Sequence, residues 1–468
     1  MLRGNQGNPN QNPRKRNTNR AVMGIKFQYL PKGLVVDILS RIVCVKTVLN
    51  CKCVCKEWLS IISDPQFARL HLPRSPIGIL MKEWHLDNDW IARKLDFAQI
   101  VEGAGSDFGV DKTTLTPNNS LPNFRFELIN SCNGLLCLYG PETDGLYVCN
   151  PVLGECITIP HNSNGRHRCG FIALGYSIGT NDYKVLQTTS SNNEFYGERE
   201  AEIYTLGTGV WRSIGSVPQT ILKRNRDEAI QLPFDAFLHG AQHWAPYDLS
   251  EFSIYAFNFE SEQFRSLPTP TLSPGLVEAM HEWYSDYLQL GQLGGCLLLC
   301  VHDKPSTKLE LWVMKEYGVQ QSWTKILVID NLTPRSFGYM PIMFLSNGEI
   351  LIAYVEEQNN GSGSRLVGCF NQEAKTFSRT TVTDHTQDFF HAIAYSPSFV
   401  SLYDVAKGEE VERIRDSNKP IGKPSYDRSG FWMPTHVYSF DLRRRAFDSW
   451  FFRNSYVSCH TSRVYLFS

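Results

Sequence analysis

No stretch of this chain stays apolar for the roughly 20 residues that a membrane-spanning helix needs. The N-terminal stretch lacks the short apolar core of a secretory leader. The expectation is a protein of the cytoplasm and/or nucleus with no membrane partner. An excess of either charge is missing too, since Lys+Arg 46 against Asp+Glu 47 leaves a formal net charge of -1. That balance excludes a globally basic nucleic-acid binder, and no nucleic acid is expected as a partner. Signatures of covalent and nucleotide chemistry are absent: there is no HExxH, no GxSxG, no P-loop and no GxGxxG after a strand. The Gly-rich stretches Gly103-Ala-Gly105-Ser-Asp-Phe-Gly109 and Gly361-Ser-Gly363-Ser have the wrong spacing and read as surface turns.

The 13 cysteines are odd in number and sit mostly in apolar runs such as Cys296-Leu-Leu-Leu-Cys300. That is the pattern of buried thiols in a reducing compartment. Cys51, Cys53 and Cys55 are tightly spaced. On a helical stretch, however, Cys53 points away from the other two, and no histidine lies near, so zinc is not expected. His161, His167 and Cys169 read as a solvated loop, and His239 and His243 as packing groups. Neither a metal nor a cofactor is expected, and no residue is assigned a catalytic role.

What the chain does contain changes along its length. Residues 1–26 hold Arg3, Arg14, Lys15, Arg16, Arg20 and Lys26 with no acidic residue and few apolar ones, and are expected to be disordered. Pro13-Arg14-Lys15-Arg16 is a candidate nuclear-import signal. Residues 27–72 are dense in hydrophobes at helical spacing. One stripe runs through Leu34, Val35, Ile38, Leu39 and Ile42. A second runs through Val48, Leu49, Val54, Trp58, Ile61 and Ile62 and stops at Ser63-Asp64-Pro65. So short a bundle has a marginal core, which leaves apolar surface for a partner or for the next domain.

From residue 77 the pattern turns to short strands, and a repeat emerges. Strands centred on Tyr147, Tyr204, Tyr255, Trp312, Val367 and Tyr438 recur roughly 50 to 70 residues apart. Each is followed by a second strand, marked by Cys156, Trp211, Phe264, Trp323, Phe377 and Phe447. Gly134, Gly240, Gly295 and Gly348 mark a preceding strand, read as the crowded innermost one. Several short strands per unit predict a mainly β fold, a kelch-like β-propeller of about six blades over residues 77–403, behind a small α-helical N-terminal domain. Residues 404–468, with Arg443-Arg444-Arg445, form an extension that is a candidate to complete the last blade.

The stretch Leu30-Pro31-Lys-Gly-Leu34-Val-Val-Asp-Ile38-Leu39-Ser-Arg41-Ile42, with Val54-Cys55-Lys56-Glu-Trp58 and Ile62-Ser-Asp-Pro-Gln-Phe67, resembles an F-box. It departs from that pattern at Gly33, where an acidic residue is usual, and at Ile42-Val43-Cys44-Val45-Lys46, which lacks the usual proline. Ser131-Cys132-Asn133-Gly134, Asn150-Pro151, Gly175-Tyr176, Asn181-Asp182-Tyr183-Lys184, His243-Trp244, Leu311-Trp312 and Tyr317-Gly318 are similar to the F-box-associated, kelch-like domain of plant F-box proteins.

The resemblance implies the substrate-recognition subunit of an SCF-type ubiquitin ligase. The helices would dock on a Skp-type adaptor, and through it on cullin and RING subunits, while the propeller binds a protein target. Leu30, Pro31, Leu34, Ile38, Leu39, Val54, Cys55 and Trp58 are then the expected adaptor contacts or their support. Two other readings stay open: an interaction scaffold of the same build without a ligase role, and a ligand-binding or enzymatic propeller. Phe67-Ala-Arg-Leu70-His-Leu72 predicts a packed joint between helices and ring. The target-binding residues are not legible.

Overall fold

The computed structural model describes residues 30–83, 95–102, 108–115, 121, 126–140, 143–162, 167–190, 199–218, 236–244, 253–272, 288–303, 308–330, 336–345, 347–357, 363–371, 376–383 and 390–414. The basic tail, Tyr438 and Arg443–Arg445 lie outside them. No helix among these residues is long and apolar enough to cross a membrane.

Four short helices come first: α1 (Lys32–Ser40), α2 (Val45–Cys51), α3 (Lys56–Ile62) and α4 (Pro65–His71). The second apolar stripe is therefore two helices, broken by a turn. Cys51 ends α2, Cys53 lies in the turn, and Cys55 caps α3 by accepting from the Trp58 amide at 3.4 Å. The expected single helical stretch through all three cysteines is not formed. Pro65 opens a helix as well as following one. It sits in the first turn of α4, where its missing N–H costs nothing, and Asp64 Oδ1 caps that turn by accepting from Gln66 N at 2.8 Å. Val35, Leu39, Val48, Ile61, Ile62, Phe67 and Ala68 form the shared core.

Six antiparallel sheets follow, and five are consecutive in sequence. They are β4–β7 (Glu127–Cys132, Leu135–Gly140, Gly145–Asn150, Glu155–Ile159) and β8–β11 (His167–Ser177, Asp182–Ser190, Arg199–Thr205, Trp211–Ser216). Then come β12–β15 (Ala236–Leu238, Ala241–Trp244, Ser253–Asn258, Gln263–Pro268), β16–β19 (Leu288–Leu293, Cys296–Asp303, Lys308–Met314, Trp323–Ile329) and β20–β23 (Ser336–Phe344, Ile350–Glu357, Gly363–Asn371, Thr376–Thr383). The sixth joins β1–β3 (Gly78–Glu83, Leu95–Glu102, Phe108–Leu115) to β24 (Phe390–Tyr395), which pairs with β1 from Gly78↔Tyr395 to Glu83↔Phe390. Inner strands pack side by side, β4 on β8, β12 on β16, β16 on β20 and β20 on β24, and one buried cluster joins the β24 sheet to the β4 sheet, so the sheets are blades of a closed six-bladed propeller.

The repeat in the sequence is the third and fourth strand of five blades, β6–β7, β10–β11, β14–β15, β18–β19 and β22–β23. Tyr147 and Tyr204 are buried there between neighbouring blades. Trp211 Nε1 donates to Pro160 O (2.6 Å) and Trp323 Nε1 to Pro268 O (2.9 Å), the same stitch between outer strands at two blade seams. Asn130, on the inner strand β4, copies a peptide group. It accepts from Leu174 N (2.9 Å) and donates to Leu174 O (2.8 Å) on β8.

The glycines mark turns and not the crowded axis. Gly134, Gly240, Gly295 and Gly348 have φ of 78°, 72°, 77° and 82° in the connections between first and second strands. Asn133 precedes Gly134 at φ 50°, so the β4–β5 loop takes two left-handed residues, as a tight hairpin requires. The cysteine expectation also needs amending. Cys132, Cys137 and Cys300 are buried and Cys44, Cys53 and Cys55 are exposed. Cys149 and Cys156, register partners on β6 and β7, form a disulfide.

After β24 the described residues, 396–414, stay against the ring and the helices. Residues 396–401 cross to the helices, α5 (Leu402–Val405) packs on the first blade, and β25 (Val411–Arg413) pairs with β7 as its fifth strand.

Candidate docking surface

The helical module carries two apolar faces on α1. One turn of helix separates Leu34 from Ile38 and Val35 from Leu39, and the two pairs lie about 100° apart around the axis. Val35 and Leu39 are 3% and 2% exposed and enter the core, whereas Leu34 and Ile38 are 51% and 41% exposed. Val54 in the α2–α3 turn is 63% exposed. Pro31 and Cys55 are exposed as well, while Leu30 and Trp58 are half-buried against the core.

The structure therefore divides the eight expected docking residues. Pro31, Leu34, Ile38, Val54 and Cys55 face solvent, Leu30 and Trp58 straddle the boundary, and Leu39 is core support. Outside those eight, the module also exposes Val43 at 49%, Leu59 at 46% and, in the segment read as a packed joint, Leu70 at 38%. Leu59 was legible: Trp58, Ile61 and Ile62 set the inward face of α3, and Leu59 falls off it by about a quarter turn. Val43 lies in the α1–α2 connection, where no periodicity speaks. Charges around this surface are weak anchors, such as the exposed Arg41–Asp37 pair at 2.9 Å.

Behind the surface, the module is seated on the ring by buried contacts. His71 Nε2 donates to Ile42 O at 3.0 Å, while its ring stacks on Phe67 and meets Phe399 edge-on. Burial lowers the His71 pKa, only partly offset by the Ile42 contact, so the ring is neutral. Ser75 Oγ donates to Pro397 O at 2.6 Å. Val152 and Leu153, in the β6–β7 turn, pack against the helical core. Glu155 is buried below them and accepts from Leu402 N (2.7 Å) and Ser401 Oγ; burial raises its pKa against these hydrogen bonds.

His243 is a structural histidine. It is 1% exposed, with Nδ1 2.6 Å from Ala236 O and Nε2 2.6 Å from Tyr317 Oη. Arg265 donates to Tyr317 Oη, whose own proton then goes to His243 Nε2 and leaves Nδ1–H for Ala236 O. Burial pushes this imidazole down to about 4, so it stays neutral and ties the third blade to the fourth. Lys184 is likewise committed, to Phe259 O (3.0 Å) and Glu262 (2.9 Å). Among the described residues, no group of three or more His, Cys, Asp or Glu side chains is placed to hold a metal ion.

A six-bladed ring that carries a helical module with apolar side chains left in water defines a docking and recognition protein. Residues 27–72 match the F-box-like family and residues 105–402 match the F-box associated beta propeller domain. The chain belongs to this F-box-associated propeller family of F-box proteins. It is similar to F-box protein At3g07870 of Arabidopsis thaliana, 28% identical with 71% of this chain and 84% of that one covered. It also resembles the Arabidopsis thaliana F-box/kelch-repeat protein At3g23880 (26% identical; 73% and 88% covered) and F-box protein CPR1 (26%; 76% and 85%).

Proposed function

We propose that this F-box protein is the substrate-recognition subunit of an SCF-type ubiquitin ligase. Its F-box docks on a Skp-type adaptor, which joins it to cullin and RING subunits, and its propeller holds a protein target. The observation that carries this reading is that one short module seated on the ring leaves several large apolar side chains in water, Leu34, Ile38, Val43, Val54 and Leu59. Catalysis is then by proximity: binding raises the effective concentration of a target lysine near ubiquitin held by another subunit. No residue of this chain needs to do covalent chemistry.

The reading is tested without knowing the target. The full chain is assembled with a Skp-type adaptor, a cullin and a RING subunit and supplied with activating enzyme, conjugating enzyme, ubiquitin and ATP. Ubiquitin ladders on this chain itself, lost when the adaptor is left out, are the expected result. An assembled complex that transfers no ubiquitin supports the scaffold reading and contradicts the ligase one.

A further inference from the structure

The F-box does not complete its own core. Phe399 lies in the segment after β24, more than 300 residues from the helices, yet it is 4% exposed among their side chains. Its ring centroid is 6.0 Å from that of Phe67 and 4.9 Å from that of His71. Hydrogen bonds fix the backbone on both sides of it. Asn150 Nδ2, from the first blade, donates to Ser398 O (3.0 Å) and Val400 O (2.7 Å). The segment starts from β24, and β24 is placed by its pairing with β1, the pairing that shuts the ring. Ring closure and completion of the F-box core are therefore coupled through this segment, with Phe399 as its buried apolar side chain.

We propose that Phe399 is a positioning residue that makes adaptor docking conditional on a closed propeller. The adaptor half of this inference rests on the function proposed above. Until the last blade closes, α4 lacks the ring that fills the space beside Phe67 and His71, and the docking helices lose packing and orientation together. A chain with an unfinished target-holding ring would thus present a weakened F-box.

The test uses the full chain and its Phe399→Ala and Phe399→Leu variants, with hydrogen exchange and titration by a recombinant Skp-type adaptor as readouts. In Phe399→Ala, exchange in α1 and α4 is expected to rise about 100-fold, in keeping with the loss of a buried phenylalanine. Exchange in β5 and β6 stays within about threefold, and adaptor affinity falls about tenfold or more. Phe399→Leu keeps a bulky apolar group and recovers most of both losses; it also serves if the alanine variant fails to fold. F-box exchange unchanged in both variants overturns the coupling. Faster exchange with adaptor affinity within twofold of the native chain overturns the conditionality. A native chain that binds no adaptor overturns the proposed function and the conditionality with it, and is told apart because the native protein itself is silent.

Discussion

Replacing Leu34 and Ile38 together by aspartate is expected to weaken binding to a Skp-type adaptor at least about a thousandfold, with the ring intact. Both side chains are about half exposed, so docking removes roughly half their area from water, about 1 kcal/mol each. Two carboxylates forced into the same apolar contact add several kcal/mol of desolvation. Each 1.4 kcal/mol is tenfold in affinity, so the sum reaches about three decades. Neither residue supports the core, which is held by Val35 and Leu39 on the adjoining face, so unfolding should shift by only about 0.5 kcal/mol. Calorimetric titration of the double variant, with urea unfolding as control, reads both numbers. Affinity within tenfold of native would move the docking surface off α1.

Gly134→Ala should cost about 3 kcal/mol of stability. Two penalties combine. Gly134 sits at φ 78°, where a side chain costs about 1–2 kcal/mol. An added Cβ would also come within 2.7 Å of Ser396 O and 2.8 Å of Ser398 N, and such overpacking costs about 1–3 kcal/mol. Those atoms belong to the segment that carries Phe399, and Tyr395 Oη already donates to Gly134 O at 3.1 Å. The damage should therefore spread from the first blade to the F-box joint. Urea denaturation followed by tryptophan fluorescence measures it, and a loss below about 1 kcal/mol would mean that the segment yields without cost.

The blades were legible wherever their strands are consecutive in the chain. Tyr147, Tyr204, Tyr255 and Trp312 repeat because each third strand meets the same environment between neighbouring blades. The sixth blade left no such trace, since β1–β3 and β24 come from opposite ends of the ring, and no local pattern records a pairing across 300 residues. The helices were legible from their apolar spacing, but the phase of α1 was not. Leu34, Val35, Ile38 and Leu39 read as one stripe until packing separates the buried pair from the exposed one. Cys55 as a helix cap and Gly134 as a turn depend on where elements end, which periodicity fixes poorly. Phe399 gave no signal at all: in sequence it is one apolar residue in a Pro/Ser-rich stretch, and only the closed ring brings it to the helices.

The most direct measurement is a hydrogen-exchange footprint of the full chain with and without an equimolar Skp-type adaptor. The account predicts slowed exchange in residues 31–43 and 54–62 and no change in β4–β23. Protection confined to the propeller, or none anywhere at saturating adaptor, would contradict it.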